Sequence, residues 1–155
     1  MLLIFCLLIG IYIGVFFVHN IYKKKLLMAK QMSDKHLEMF LLMYKWLQNK
    51  EQKKSIADYL KKQGYQSAII YGMSYLGKSL YRELKSENYE VKDLVDQAKH
   101  IKVDSREVKN LNDPIDTADV IIVTAIYNYE EIEKRLRKMF EMPVLSLDDV
   151  IYKMT

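Results

Sequence analysis

Cysteine, proline and glycine are scarce in this sequence, with one, two and five occurrences among 155 residues. The lone cysteine, Cys6, excludes an internal disulfide and a cysteine-based zinc site, and it suits a reducing compartment. His19, His36 and His100 lie far apart in sequence and share no ligand spacing with other side chains. Disulfide frameworks and metal centres are therefore not expected in this chain.

Charged side chains are absent from the first eighteen residues, Met1–Val18. As a helix this run would extend about 27 Å, which is enough to cross a bilayer. A cleaved secretory signal would need basic residues before the run and small residues after it, whereas Lys23–Lys25 follow it. We therefore predict a transmembrane anchor over residues 1–22, single-pass in the cell membrane, with the C-terminal domain cytoplasmic.

Basic residues are concentrated beside this predicted anchor. Residues 1–65 carry 11 basic against 4 acidic side chains, whereas residues 66–155 carry 13 against 16. Positive charge at this place favours contact with anionic lipid headgroups, so the membrane is an expected partner. A nucleic-acid-binding protein would carry its basic surface on the folded domain, so nucleic acid is not an expected partner.

Residues 23–54 are predicted to form a juxtamembrane helix or linker, because helix-favouring residues dominate without proline or glycine. Ser55 is the expected N-cap of the next helix and Gly64 its end. One apolar stripe can pack on the chain's own core. The other stripe can form a homodimer or bind a partner membrane protein. Alternatively, both stripes can lie in one intramolecular core or against lipid headgroups. Gly10 and Gly14 have the G-x-x-x-G spacing that lets two helices approach closely, or they are a lipid-facing pair with no role. The stripes are Leu37, Phe40, Leu41 and Tyr44, and Met39, Leu42, Met43 and Trp46.

Residues 55–155 alternate apolar strand-like runs with amphipathic helical runs. The expected order is strand SAIIYG, helix YLGKSLYRELKSE, strand YEVKDLVD, strand ADVIIVTA, helix NYEEIEKRLRKMF and strand MPVLSL. IKVD or EVKNL can add a strand, and DLVDQAKHI is open to a helical interpretation because Asp93 interrupts the apolar pattern. The alternation predicts an α/β fold, a small Rossmann-like parallel sheet of about five strands covered by helices on both faces.

The loop after the first predicted strand, GMSYLGK, carries the candidate ligand-binding residues. Gly72 permits a tight turn, and Gly77 permits close packing of the next helix on the strand. Ser74 replaces the middle glycine of the G-x-G-x-x-G dinucleotide pattern, and its hydroxyl can donate to a phosphate. The helix that starts near Tyr75 offers free amides to an anion, and Lys78 can reach a phosphate. A purely structural strand-to-helix turn is the alternative interpretation.

Residues after the other strands are expected to face the same crevice. Asp96 follows the last turn glycine by nineteen residues, where a carboxylate can accept hydrogen bonds from a ribose diol; an ordinary solvent-facing strand end is the alternative. Thr124 and Tyr127 are expected to line the opposite wall. Asn128 and Glu131 have capping-box spacing and are expected to start the next helix. An enzyme would need a placed acid, base or nucleophile, and the pair Tyr81-x-x-x-Lys85 lies on turns of the first crossover helix that run away from the strand ends, so catalysis stays open.

The sequence resembles a Rossmann-like module that occurs with capsule, exopolysaccharide and other cell-surface glycan genes of Gram-positive bacteria. The resemblance covers roughly residues 46–152 and rests on the glycine turn AIIYGMSYLGKSL, on ADVIIVTAIYNYEEIEKRL and on PVLSLDDVIY. In that family the module stands alone or is fused to glycosyltransferase-type proteins, which implies a glycosyltransferase as a partner.

A more distant similarity is to the N-terminal domain of bacterial sugar O-acyltransferases, whose turn has the pattern G-A-S-G-H-G-K. Gly72, Ser74, Gly77 and Lys78 match that pattern, whereas tyrosine and leucine replace its inner glycine and histidine. The similarity implies binding of a nucleotide sugar. Nothing in the chain matches the hexapeptide repeats of the catalytic part, so acyl transfer is not implied.

Three functions follow from these features. The first is a membrane-anchored cytoplasmic module that binds a nucleotide or nucleotide sugar and is accessory to cell-surface polysaccharide biosynthesis. The second is an NAD-dependent sugar-nucleotide oxidoreductase or epimerase. The third is a structural oligomerisation or adaptor protein in which the crevice binds nothing. The bound cofactor is left open between a nucleotide sugar and NAD.

Overall fold

The computed structural model describes residues 2–98 and 102–154, without the side chains at positions 2–9, 11 and 13. The described helices are α1 (Leu2–Glu51), α2 (Ile56–Lys62), α3 (Tyr75–Ser86), α4 (Tyr129–Met139) and α5 (Leu147–Lys153). The described strands are β1 (Ser67–Tyr71), β2 (Glu90–Val95), β3 (Lys102–Val103), β4 (Arg106–Glu107), β5 (Val120–Val123) and β6 (Val144–Ser146). The chain divides into two compact units, Met1–Leu41 and Leu42–Thr155. The second unit contains the sheet and the candidate site.

Four strands form a parallel sheet in the order β2-β1-β5-β6. The central strand β1 pairs with β2 on one side and with β5 on the other. Because the chain first adds a strand on one side of β1 and later adds strands on the other, the strand order reverses between β1 and β5. In open α/β sheets ligands usually bind at the carboxyl ends of the strands beside such a reversal.

The strands lie where the apolar runs predict them. All five residues of β1 and all four of β5 are buried, as expected for parallel strands covered on both faces. The second predicted strand is confirmed as β2, and it accommodates Asp93 because Lys109 neutralises the buried carboxylate at 2.7 Å. The helical interpretation of DLVDQAKHI is therefore wrong through Val95, and its end at positions 99–101 lies outside the described residues.

The segments IKVD and EVKNL add no further strand to the parallel sheet, although Lys109 of EVKNL forms one isolated parallel bridge with Val95 at the end of β2. β3 and β4 instead pair with each other as an antiparallel hairpin, with Val103 opposite Arg106. The two loop residues, Asp104 and Ser105, both have positive φ angles, 47° and 70°, which is the geometry of a tight type I′ hairpin turn. Local turn geometry thus decides the pairing, and the parallel sheet has four strands rather than about five.

Both faces of the sheet are covered. One face carries Ile69, Tyr71 and Ile121, which pack with Ile132 and Leu136 of α4 in a single buried cluster. Neighbouring residues on a strand point to opposite faces, and the intervening positions are fully buried as well. Helix α3 contacts β1 and β2, and α2 contacts α3 and α5. Helices on both faces are confirmed.

Polar side chains fix the end of α1 within the second unit. The Trp46 indole donates to Glu83 Oε2 at 2.8 Å, and Lys50 pairs with the same carboxylate at 2.9 Å. Asn49 is fully buried and donates to the Ile151 carbonyl at 2.7 Å. The predicted start of α2 is confirmed, since Ser55 Oγ accepts from the amide three residues later at 3.2 Å.

The prediction of a transmembrane anchor is corrected by the structure. Among the described residues, no helix combines the length and the apolar character that crossing a membrane requires. Within the part of α1 whose side chains are described, His19 and Asn20 follow the apolar residues that end at Val18, and Lys23–Lys25 come next. The predicted membrane span over residues 1–22 and the predicted single-pass membrane localisation are therefore wrong. The predicted position of Cys6 in an apolar run lies outside the described side chains.

The two predicted stripes of α1 differ in burial. Leu42 and Trp46 are 2% and 5% exposed, so part of the second stripe packs within the second unit. The whole first stripe is exposed, and so is Met43 of the second stripe. The homodimer through α1, including Gly10 and Gly14, stays a prediction.

Candidate functional site

The glycine turn between β1 and α3 is built as its residue types predict. Gly72 has a φ angle of +95°, which side chains other than glycine rarely adopt, and a Cβ atom there would lie 2.9 Å from Thr124 Oγ1. A Cβ atom on Gly77 would lie 1.9 Å from the Gly72 carbonyl oxygen. Only glycine at both positions lets the first turn of α3 pack against the end of β1.

Thr124 was predicted to line a wall of the crevice, but its side chain is buried beneath the glycine turn. Its side chain is 2% exposed and donates to the Gly72 carbonyl at 2.6 Å, with a second contact to the Tyr71 carbonyl at 3.3 Å. The threonine therefore supports the turn from below and does not line a wall of the crevice. A buried hydroxyl needs a partner, and the turn supplies it.

The N-terminus of α3 opens towards solvent. Ser74 occupies the N-cap position with an extended backbone, but its side chain makes no capping hydrogen bond. Tyr75 follows as the first helical residue with a side chain that is 80% exposed. Lys78 lies in the first turn and is partly buried. The first amides of a helix lack intrahelical acceptors, so this end has the donors that an anion requires.

Asp96 lies at the predicted strand end and turns towards the glycine turn. Its Oδ2 accepts from the Met73 amide at 2.6 Å, and its Oδ1 accepts from the Ala98 amide at 2.9 Å. Its own amide donates to the Lys109 carbonyl at 3.0 Å. The carboxylate thus ties the ends of β1 and β2 together and lies beside the start of α3.

Sequence reasoning missed a polar cluster beside Asp96. Arg135 of α4 donates to the Tyr71 hydroxyl, and its guanidinium lies 5.8 Å from the centre of that ring. With its amide oxygen turned to the guanidinium, Gln97 accepts from Arg135 Nη1 and Nη2 at 3.1 and 2.8 Å. Tyr71 and Arg135 are 64 positions apart, so no local spacing could have revealed this contact.

Tyr127 lines a cleft of about 580 Å³ at the carboxyl ends of β5 and β6. The cleft continues along the 3₁₀ turn Ile126–Asn128 to the first turns of α4 and α5. Asn128 occupies the N-cap position of α4, which confirms the predicted helix start, but its side chain makes no capping hydrogen bond, so the capping box itself does not form. The other polar residues of the lining are Tyr129, Glu130, Glu131, Lys134, Ser146, Asp148 and Asp149.

The seven other predicted site residues thus surround one sheet edge, in the turn after β1, on α3, directly after β2 and in the turn after β5, while Thr124 lies beneath it. In the described part of the chain, no group of three histidine, cysteine or acidic side chains could hold a metal ion. An α/β protein with a four-stranded parallel sheet is the class that the fold defines. No protein-family model, curated protein or solved structure matches the chain.

Proposed function

We propose that this chain binds a nucleotide or a nucleotide sugar at the carboxyl edge of its parallel sheet. The observation that carries the proposal is the double-glycine turn, in which Gly72 and Gly77 bring the first turn of α3 against β1 without a side chain between them. The N-cap side chain, Ser74, leaves the helix end uncapped. Phosphate groups bind at such helix ends because free amides and the helix dipole both favour negative charge.

The neighbouring residues have complementary parts in this proposal. The amides at the start of α3 hold a phosphate, and the Ser74 hydroxyl and the Lys78 ammonium add donors. Asp96 accepts hydrogen bonds from a ribose diol, because a carboxylate has about four acceptor sites and the amides of Met73 and Ala98 occupy two. Tyr127 borders the part of the ligand that extends past β5.

Service in cell-surface polysaccharide biosynthesis is the biological setting that we propose. It rests on the resemblance to modules that accompany capsule and exopolysaccharide genes, and it implies a glycosyltransferase as the protein that receives the bound nucleotide sugar. No side chain is assigned a catalytic role, so binding without turnover is the expected behaviour.

Isothermal titration calorimetry on the full chain tests the proposal with UDP-glucose, GDP-mannose, a CDP-sugar, NAD and NADP. Saturable binding of at least one sugar nucleotide without turnover is the expected result. Turnover with NAD would support an oxidoreductase or epimerase instead. Absence of binding by every ligand would contradict the proposal.

Two substitutions at Tyr75 distinguish the contribution of its backbone amide to ligand binding from that of its side chain. Tyr75→Pro removes the N–H group at the first helical position, where proline is well tolerated and the preceding residue is already extended. We expect affinity for the sugar nucleotide to fall about tenfold or more, because a hydrogen bond to a charged group is lost. Tyr75→Ala is the matched control, which keeps the amide and should leave affinity within about twofold.

An adaptor function is the second candidate, favoured by apolar side chains at the end of α1. Met43, Tyr44 and Leu47 are 45%, 53% and 55% exposed within the second unit. Adjacent exposed apolar side chains of this kind are typical of surfaces that bind another protein. The adaptor function would be favoured over ligand binding by two results together. No nucleotide would bind in calorimetry, and the chain would self-associate in a way that Tyr44→Gln abolishes.

A further inference from the structure

The cleft beside Tyr127 lies next to the proposed nucleotide site. It begins two residues after Thr124, whose hydroxyl contacts the Gly72 carbonyl at 2.6 Å. Its floor is formed at the carboxyl ends of β5 and β6, on the far side of the strand-order reversal from Asp96. The cleft therefore adjoins the strand-order reversal beside which ligands of open α/β sheets bind.

The size and lining of the cleft suit a small polar group. A volume of about 580 Å³ is within the range of about 300–1,000 Å³ that small-molecule sites occupy. Two tyrosines, an asparagine and several carboxylates offer aromatic surface, amide groups and acceptors. Sugar hydroxyl groups are donors that match carboxylate acceptors, as in the binding of a ribose diol by an acidic residue.

Helix capping does not account for the polar side chains at the two helix starts. Asn128 and Ser146 hold the N-cap positions of α4 and α5, yet neither side chain makes a capping hydrogen bond. Ser146 Oγ donates instead to the Asp148 carboxylate, which lies in the same lining. Tyr129 keeps its proton, because burial raises its pKa to about 12, and its hydroxyl donates to the Val144 carbonyl at 3.0 Å.

The charge of the cleft restricts the sugar that can enter it. Four carboxylates, Glu130, Glu131, Asp148 and Asp149, line the cleft together with one ammonium group, Lys134. Lys153 pairs with Asp149 at 2.8 Å, so the acidic excess of the cleft comes from the other three carboxylates. Like charges repel across distances below the Debye length, which is about 10 Å at 0.1 M salt. A sugar with its own carboxylate is therefore disfavoured.

We infer that this cleft is the sugar subsite of a nucleotide sugar and that it selects neutral or amino sugars against uronic acids. The inference rests on the proposed nucleotide binding and adds the class of sugar. Repulsion between the cleft carboxylates and the carboxylate of a uronic acid is enough for this selection, without any new attractive contact to the neutral sugar. The selection weakens as salt screens the carboxylates.

Calorimetry on the full chain tests this selection with UDP, UDP-glucose and UDP-glucuronate, and with GDP, GDP-mannose and GDP-mannuronate. We expect the neutral sugar of the series that binds to increase affinity over the bare nucleotide. The uronate should bind about tenfold or more weakly than the neutral sugar at low salt, and within about threefold of it near 1 M salt.

A charge-neutralising variant with a matched control completes the test. Glu130→Gln/Glu131→Gln should raise uronate affinity towards that of the neutral sugar. Glu38→Gln/Glu141→Gln changes the net charge equally outside the cleft lining and should leave the ratio unchanged. Equal affinity for neutral sugar and uronate in the wild type, or no gain over the bare nucleotide, overturns the sugar subsite while nucleotide binding stands. Failure of every nucleotide to bind overturns both.

Discussion

Thr124 supports the glycine turn through one buried hydroxyl group. Thr124→Val keeps the shape of the side chain but leaves the Gly72 carbonyl without its donor at 2.6 Å. We expect the free energy of unfolding to fall by about 1–3 kcal/mol, because a buried acceptor loses its partner. Urea denaturation measures the change, and Thr117→Val at an exposed position is the control. Equal midpoints for both variants would show that the hydroxyl does not support the turn.

Asp119 fixes the start of β1 and makes stability depend on acid pH. Hydrogen bonds from the amides of Gln66 and Ser67, both at 2.8 Å, and from the Ser67 hydroxyl lower the pKa of the carboxyl below its usual 3.8. Because the pKa of Asp119 is lower in the folded state than in the unfolded state, its ionised carboxylate stabilises the fold at pH values above the unfolded-state pKa. This contribution is lost as the pH falls through the folded-state pKa.

Asp119→Asn should therefore destabilise the protein at neutral pH and make little difference at strongly acidic pH. Urea midpoints of both proteins between about pH 2 and pH 7 measure this convergence. A difference that stays constant over the whole range would contradict the assigned role, and Glu141→Gln at an exposed position should show no pH-dependent difference.

At the scale of elements, one buried ion pair joins β2 to the segment that follows the hairpin. Asp93 is 4% exposed, and its carboxylate accepts from Lys109 Nζ and from the Asp116 amide at 2.7 Å. Lys109→Met leaves this carboxylate buried without its counter-charge, and we expect a loss of about 3 kcal/mol in unfolding free energy.

The double variant Asp93→Asn/Lys109→Met should recover part of that stability, because the uncompensated charge is gone. Lys102→Met at an exposed position of β3 is the control and should be nearly neutral. Thermal denaturation of the four proteins gives the comparison. A Lys109→Met variant as stable as wild type would show that the pair does not hold this segment.

Elements with a strong local pattern were predicted from sequence, and those fixed by distant contacts were not. β1, β5, α3 and α4 follow from apolar runs and helical periodicity. The hairpin was missed because its turn, Asp104-Ser105, lacks the asparagine-glycine pattern that usually marks such turns. The predicted anchor was wrong because it was inferred from the apolar composition of the first residues alone, and none of the described helices is long and apolar enough to cross a membrane.

The predicted site residues divide in the same way. The roles of Gly72 and Gly77 were predictable because a tight strand-to-helix turn leaves no room for side chains at these two positions. A Cβ atom on Gly77 would indeed lie only 1.9 Å from the Gly72 carbonyl oxygen. The position of Asp96 at the end of β2 was predictable as well, but its bond to the Met73 amide depends on strand pairing. Thr124 was misplaced, since sequence gives the strand end and not the direction of the side chain. Arg135 reaches Tyr71 only in the folded chain.

At the scale of the whole molecule, the parallel sheet brings four strand ends to one edge. The turn after β1, Asp96 after β2 and the cleft after β5 and β6 come from segments far apart in sequence, and only the strand order places them side by side. The proposed ligand spans this edge, with its phosphate at the start of α3 and its sugar in the cleft. In this proposal the first amides of α3 hold the phosphate.

Two-dimensional ¹H–¹⁵N NMR of the full chain, titrated with the sugar nucleotide that binds in calorimetry, tests this claim most directly. We expect saturable shifts of the amide signals of Tyr75, Leu76 and Gly77, with further shifts at Tyr127. Saturable shifts confined to another surface, with these three amides unchanged, would contradict it.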